Sequence, residues 1–167
     1  MGWRLVPEIP QSMCFGCSPR NHAGLGRHTV YRLQDDGAVR ADYVPPEHHG
    51  GGGRVVHGGV LTALLDEAAG FLVATLTDQG FFTVGMQVAF RGPATIGEPV
   101  TAVARLAERR RRSLAVHVEA RAGTMLAARG EVDYFTVPPE RYVEMTGFPD
   151  VPSAFLRMVP DDEGSGL

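Results

Sequence analysis

The chain has 167 residues, of which 44% are hydrophobic, so it can form one globular domain with a substantial core. Its net charge of −3 gives no basic surface of the kind that attracts nucleic acid, and we expect no nucleic-acid partner. No apolar run is uninterrupted enough to predict a membrane span, and the N-terminus lacks the apolar core of a signal peptide. Two cysteines are too few for a disulfide scaffold. These properties predict a cytoplasmic protein with no membrane partner.

The first part of the chain is predicted to form an irregular arm followed by a β-hairpin. Residues 1–27 are rich in Pro, Gly and polar residues, which predicts an arm without regular structure. Residues 29–33 and 38–44 have strand composition and flank the turn Asp35-Asp36-Gly37, a sequence that favours a hairpin. The four consecutive glycines of residues 50–53 then predict a flexible loop.

A long apolar helix is predicted over residues 58–77. Its apolar side chains surround the helix instead of following one face, which is typical of a helix enclosed by the rest of its domain. They are Val60, Leu61, Leu64, Leu65, Ala68, Ala69, Phe71, Leu72, Val73 and Leu76. Two carboxylates, Asp66 and Glu67, stand within this run. Because a buried carboxylate is costly, they require a specific reason to be there.

Four more segments with strand composition follow the helix, and a proline-rich tail ends the chain. The strands are predicted at residues 81–90, 98–105, 113–120 and 126–137, and their short connections favour an antiparallel meander. The expected fold is α+β: a hotdog fold, in which a curved antiparallel sheet of about six strands wraps around one long central helix. Residues 1–27 would be the arm, 28–137 the hotdog domain and 138–167 a loose Pro-rich tail over the domain edge.

The start of the helix has the properties of an oxyanion-binding site. It is preceded by His57-Gly58-Gly59, and the first N–H groups of a helix have no partner within the helix. Gly59, with Gly58 beside it, can donate N–H groups to a carbonyl oxygen, since glycine lets a substrate approach the backbone closely. Asp66 can activate water as a general base or attack the carbonyl carbon as a nucleophile. Together these groups predict acyl transfer of the thioesterase type.

The spacing of these groups predicts a site shared between two chains. His57 and Asp66 are nine residues apart, which along a helix is about 13 Å of rise and about 180° of rotation. The helix start and the carboxylate of one chain therefore cannot meet at one scissile bond. A twofold dimer can bring the helix start of one subunit opposite Asp66 of the other. If both elements are catalytic, the protein is a homodimer or a larger assembly such as a tetramer.

The motif resembles that of hotdog-fold acyl-CoA thioesterases of the PaaI-like (phenylacetate-pathway) and carboxy-terminal-modulator-like groups. His57-Gly58-Gly59 is followed nine residues after the histidine by Asp66, and the arm Cys14-Phe15-Gly16-Cys17-Ser18-Pro19-Arg20-Asn21-His22-Ala23-Gly24-Leu25 resembles one that is common in the family. His49, Gly51 and Val56 fit its approach loop, and we expect His49 and Gly51 to contact the substrate. Thr83 through Phe90, with Arg91, Pro93 and Gly97-Glu98-Pro99, fit the strand after the helix. The resemblance covers roughly residues 13–136.

The resemblance implies a role for each matching residue. Asp66 would be the catalytic carboxylate, Gly59 with Gly58 the oxyanion donor, and Thr83 the hydroxyl that contacts the attacking water. His57 would hold the helix entry and contact the substrate or the loop. Some relatives carry Asn where this chain has Gly51, so that amide contact is missing here. The resemblance also implies hydrolysis without a catalytic metal or a redox cofactor.

Two other groups of residues leave alternatives open. Cys14 and Cys17, followed by His22 and His28, could supply four zinc ligands, although the spacing is unlike that of common zinc modules; half-buried thiols in an arm are the simpler interpretation. Arg109, Arg110 and Arg111, with Arg112, lie at a predicted hairpin, where they form either a solvated turn or a site for the coenzyme A phosphates.

The sequence therefore predicts hydrolysis of an acyl-CoA thioester to a carboxylate and free coenzyme A, with acyl-CoA as the partner and no cofactor. Glu67, about 100° further round the helix, is the alternative catalytic acid. Two other functions are a hotdog protein that binds acyl-CoA without hydrolysing it, as a sensor or carrier, and a hotdog dehydratase or hydratase. The presence of both Asp66 and Thr83 disfavours a pure binder, and no His–acid pair in the sequence indicates a dehydratase. The acyl group stays open.

Overall fold

The computed structural model describes residues 2–161 and contains one long helix enclosed by a single antiparallel sheet. The helices are α1 (Gly58–Leu76) and the short α2 (Pro139–Thr146). The strands are β1 (Trp3–Pro7), β2 (Thr29–Leu33), β3 (Val39–Tyr43), β4 (Gly80–Phe90), β5 (Val100–Arg109), β6 (Ser113–Ala122), β7 (Met125–Val137) and β8 (Leu156–Pro160). The α+β fold with a curved sheet around a central helix is confirmed, and α1 and β2 to β7 lie close to their predicted positions.

The sheet has eight strands, not six, in the order β4-β7-β6-β5-β3-β2-β1-β8. The extra strands come from the segments predicted as an irregular arm and a loose tail, since β1 pairs with both β2 and β8. Pro7 and Pro160 end these strands, and proline is so uncommon within strands that its presence argues against a strand when only the sequence is known. The end of the predicted tail, residues 162–167, lies outside the described residues.

The predicted meander is correct only for β5, β6 and β7. Strand β4 does not pair with β5, because it crosses to the far side of the sheet and pairs with β7. One consequence matters for the site: β4 is an edge strand, and it lies next to the strand that carries Tyr134.

Helix α1 is the core of the domain and packs against strands β2 to β7. Its buried residues cover several sides of the helix, as the sequence predicts: Leu61, Leu64, Leu65, Ala68, Ala69, Phe71, Leu72, Val73 and Ala74. By length and hydropathy alone α1 is long enough to cross a membrane, contrary to the sequence prediction that no segment is. The core helix of a globular domain passes the same test, and about half of this apolar stretch is buried against the protein itself.

The N-terminal arm is fastened to the sheet through His49. The Tyr43 hydroxyl lies 2.6 Å from His49 Nδ1, and His49 Nε2 lies 2.8 Å from the carbonyl oxygen of Ala23. Because a carbonyl oxygen only accepts, Nε2 carries the proton and Nδ1 accepts from the tyrosine. Burial lowers the pKa of His49, which keeps the ring in this neutral form.

This arrangement predicts a loss of stability on acidification. As pH falls below about 6.5, the unfolded histidine takes up a proton that the buried ring resists, so the folded state becomes relatively less stable. His49→Gln should be less stable than the wild type at neutral pH by about 1–3 kcal/mol, because its partners lose hydrogen bonds, and should lose less additional stability on acidification. Urea unfolding over this pH range measures both effects. The exposed His22→Ala is the control and should keep the wild-type slope; an unchanged slope in His49→Gln would contradict this account.

Candidate active site

Asp66 lies midway along α1 and is held by two hydroxyl groups from neighbouring strands. Thr83 Oγ1 on β4 donates to Asp66 Oδ1 at 3.0 Å. The Tyr134 hydroxyl on β7 lies 3.0 Å from the same oxygen and 2.8 Å from the Asp66 carbonyl oxygen. Within residues 2–161, no hydrogen bond engages the second carboxylate oxygen, Oδ2. One oxygen therefore fixes the carboxylate while the other is left for a water molecule or a substrate.

Tyr134 is the site residue that the sequence did not reveal. It is a fully buried side chain, and burial, reinforced by the negative charge of Asp66, raises its pKa. The phenol therefore stays protonated and can donate to the carboxylate. Tyr134 can be connected to the site only through the pairing of β4 with β7, in which Thr83 lies directly opposite Tyr134. That pairing is invisible as long as β4 is expected to pair with β5.

An irregularity in β4 adjoins Thr83. The register between β4 and β7 shifts between Thr83 and Gly85, which leaves Val84 as an extra residue. In a regular strand Thr83 and Val84 would face opposite sides of the sheet, yet both are exposed here. Such bulges re-aim neighbouring side chains, and this one accompanies the contact of the Thr83 hydroxyl with Asp66.

Asp66 and Thr83 open onto a cavity of about 260 Å³. Its walls come from α1, β4 and β7, from the N-terminal arm and from the segment that follows β7. The lining includes the polar residues Cys14, Cys17, Asp66, Glu67, Thr83, Tyr134 and Tyr142, and the apolar residues Ile9, Phe71, Phe81, Phe148, Phe155 and Leu156. Within residues 2–161, no Arg or His lines it. The cavity is thus a largely apolar pocket with the carboxyl groups of Asp66 and Glu67 at its wall.

The start of α1 is built differently from the prediction. His57 Nδ1 accepts a hydrogen bond from the Gly59 N–H at 2.9 Å, so His57 caps the helix. The N–H groups of Val60 and Leu61 bond to the His57 carbonyl oxygen. Among residues 2–161 the Gly58 N–H has no hydrogen-bond partner. The free donor at this helix start is therefore Gly58, and Gly59, the residue favoured by the sequence, is occupied by the cap.

The other predicted substrate contacts lie outside the cavity. Both ring nitrogens of His49 have hydrogen-bond partners within the protein, so neither is left to contact a substrate. Gly51 is exposed, and a Cβ there would lie 3.1 Å from the His57 Cα, so it allows the approach loop to pass close to the helix start.

The arginines predicted for phosphate binding lie at the far end of α1. Arg109 donates to the carbonyl oxygen of Leu76 at 3.2 Å, and Arg110 pairs with Glu108 at 2.8 Å. Arg111 is exposed in the same turn. A second basic region, which the sequence did not indicate, lies near the start of the helix: Arg4, Arg27, His28 and Arg54 line an open cleft of about 1490 Å³.

Glu67, the neighbour of Asp66, faces the N-terminal arm. Burial raises the pKa of Glu67 to about 8, and the negative charges of Cys14 and Asp66 add to this effect. A hydrogen bond from Cys17 is the main cause that lowers the pKa of Cys14 to about 6, whereas the pKa of Cys17 is raised by the same bond and by burial. Asp66 and Glu67 thus have separate partners, with hydroxyls around one and thiols around the other.

The comparisons with known proteins agree with this geometry. Residues 53–128 match the family model of the thioesterase superfamily. The chain is similar to the structure of a conserved protein from Pseudomonas aeruginosa at 28% identity and a TM-score of 0.56, over 61% of this chain and 82% of that one. It is also similar to a phenylacetic acid degradation-related protein from Ralstonia eutropha JMP134 at 28% identity and a TM-score of 0.60, over 65% and 84% of the two chains.

A third structure supports the fold alone. It is a hypothetical thioesterase protein with coenzyme A from Streptococcus pneumoniae TIGR4, 15% identical with a TM-score of 0.62 over 67% of this chain and 88% of that one. No curated protein matches the sequence. The resemblance predicted from the motifs is confirmed: the chain is a hotdog-fold protein whose residues 53–128 match the thioesterase superfamily.

Proposed function

We propose that the protein hydrolyses an acyl-CoA thioester to a carboxylate and free coenzyme A. The observation that carries the proposal is the Asp66 carboxylate, fixed through one oxygen by Thr83 and Tyr134 and free at the other, on the wall of an apolar cavity. A binding protein needs no such carboxylate in an apolar pocket, where an unused charge is costly. The match to the thioesterase superfamily supports the same reaction class.

In the proposed reaction Asp66 acts on the water that attacks the thioester. Oδ2 takes a proton from the water as its oxygen bonds to the carbonyl carbon. The carbon–sulfur bond then breaks, and the proton passes to the sulfur of the departing coenzyme A. Direct attack by the carboxylate, followed by hydrolysis of the resulting anhydride, is the alternative route. In both routes Thr83 and Tyr134 keep the reactive oxygen directed at the cavity.

The cavity would hold the acyl group. Its volume of about 260 Å³ exceeds the roughly 150 Å³ of an apolar cavity that accepts benzene. Phe71, Phe81, Phe148 and Phe155 supply an apolar and aromatic surface. We therefore expect an aromatic or medium-length acyl group.

The oxyanion donor would come from a second copy of the chain. Gly58 lies eight residues before Asp66, about 12 Å along the helix, and does not line the cavity. Its free N–H could stabilise the oxyanion that forms on the carbonyl oxygen. A twofold dimer places the helix start of one subunit at the Asp66 of the other.

The exposed edge of β4 is the surface that favours this dimer. Among the strands of residues 2–161, none pairs with the outer side of β4, which carries the exposed apolar residues Val84 and Phe90. Long apolar edge strands tend to pair with another chain. The Phe90 ring lies beside Gly58, and Thr83 stands next to Val84, so pairing at this edge would bring both parts of the proposed site to the interface.

Asp66→Asn should lower kcat for acyl-CoA hydrolysis by a few orders of magnitude, because the amide keeps the shape and cannot take the proton. Thiol release from a panel of acyl-CoAs measures the rate. The exposed Asp78→Asn is the matched control and should retain wild-type turnover. Wild-type turnover in Asp66→Asn would overturn the mechanism, and tight acyl-CoA binding without thiol release by the wild type would favour a binding protein.

Gly58→Pro should lower kcat about 100- to 1000-fold, the usual effect of removing one oxyanion donor. Proline lacks the N–H but suits the first position of a helix, and the extended backbone of His57 suits a residue before proline. Gly58→Ala adds the same Cβ against Phe90 and keeps the N–H, so it is the matched control. Equal losses in the two variants would show that bulk at this position, and not the N–H, is responsible.

The coenzyme A phosphates should bind in the cleft of Arg4, Arg27 and Arg54, because Arg54 lies just before the helix start while Arg109 contacts Leu76 at the far end of α1. Arg54→Ala should raise KM for acyl-CoA about tenfold, the effect of losing one charge-assisted hydrogen bond. It should leave KM for a short thioester without the nucleotide unchanged. If Arg110→Ala shows this pattern instead, the phosphates bind at the turn between β5 and β6.

A further inference from the structure

Three potential metal ligands converge where the N-terminal arm meets α1. The Sγ atoms of Cys14 and Cys17 and a carboxylate oxygen of Glu67 all lie within 4.8 Å of one another. A tetrahedral zinc ion would bring such donors to roughly 3.4–3.8 Å, a small movement for three side chains. The histidines that the sequence offered as ligands are elsewhere: His22 contacts Arg27, and the His28 ring packs against His48 and His49.

The turn that carries the two cysteines is shaped around Glu67. A Cβ on Gly16 would lie 1.8 Å from Glu67 Oε2, so only glycine at this position allows the carboxylate to lie against the turn. The Cys17 N–H points to Cys14 Sγ at 3.4 Å, and the Tyr31 hydroxyl donates to the Gly16 carbonyl oxygen at 3.4 Å. The two cysteines are therefore held next to Glu67 by the backbone of the arm and by Tyr31, which stacks on Phe71 in the core.

The chemistry of these donor atoms suits a metal ion. Two thiols and a carboxyl group lie side by side, with Asp66 next in sequence, and no Arg or His of the described part of the chain lines the cavity they share. The described side chains that line the cavity thus supply acidic groups and no positive charge. A divalent ion would balance two thiolates, and a pair of thiolates selects a thiophilic metal over magnesium or calcium.

We propose that Cys14, Cys17 and Glu67 bind one zinc ion, which fastens the arm to α1 and leaves one coordination position open to water from the cavity. On binding, the two thiols and the Glu67 carboxyl group release the protons they carry to solvent, and bonds form from zinc to each sulfur and to one carboxylate oxygen. Because Cys14, Cys17 and Glu67 line the same cavity as Asp66, the ion would complete its wall. The inference stands on the ligand cluster and does not depend on thioester hydrolysis.

The test is a metal titration of the full-length protein under reducing conditions. We expect about one equivalent of zinc to bind per chain, and cobalt(II) in its place to give a thiolate-to-metal charge-transfer band that zinc removes. Cys14→Ser and Cys17→Ser should lose the band, and Glu67→Gln should weaken binding. His22→Ala is the control that retains it. Asp66→Asn should also retain it while losing any hydrolytic activity, which separates this proposal from the proposed function.

The wild-type titration tests zinc binding even if the cysteine variants fail to fold. The absence of both stoichiometric zinc and the cobalt band in the reduced wild-type protein would overturn the proposal. So would loss of the band in His22→Ala. Hydrogen exchange gives an independent check, since zinc should slow amide exchange in residues 14–17 of the wild type and not in Cys14→Ser.

Discussion

The central constraint on this structure is that the sheet encloses α1. Every polar side chain that the helix buries must therefore find a hydrogen-bond partner in the surrounding protein. Asp66 and Glu67 are adjacent, so they project from the helix about 100° apart and meet different surroundings. Asp66 is met by the hydroxyls of Thr83 and Tyr134, and Glu67 by the thiols of the arm. Among the described residues, no buried side-chain nitrogen or oxygen lacks a hydrogen-bond partner. The site is thus the result of how the fold accommodates two carboxylates.

The eight-stranded arrangement explains where these partners come from. By pairing with β7 instead of β5, β4 brings Thr83 opposite Tyr134 and lets both reach one carboxylate. The same crossing leaves β4 at the edge of the sheet, with its apolar residues exposed beside Gly58. A single feature of topology therefore supplies the hydroxyls that orient Asp66 and the surface through which a second chain would supply the helix start.

The sequence was sufficient for the features that depend on local pattern. The apolar run of α1, the hairpin turn before residue 38 and the motif from His57 to Asp66 can be read from neighbouring residues, and the structure has the helix and strands where these patterns put them. Long-range pairings were out of reach. Tyr134 is 68 residues from Asp66, and β1 and β8 form a strand pair across almost the whole chain. The choice between Gly58 and Gly59 depended on one side-chain rotamer of His57, which no sequence pattern encodes.

The central claim is that Asp66 of one subunit and Gly58 of the other form a single site. Mixing Asp66→Asn subunits with Gly58→Pro subunits, under conditions that exchange them, tests it directly. Random exchange makes half of the dimers hybrids, and each hybrid would hold one intact site out of two, so activity should return to about a quarter of the wild-type value. If native mass spectrometry detects the hybrids and the mixture stays as inactive as its parents, the two elements do not act across the interface and the account is wrong.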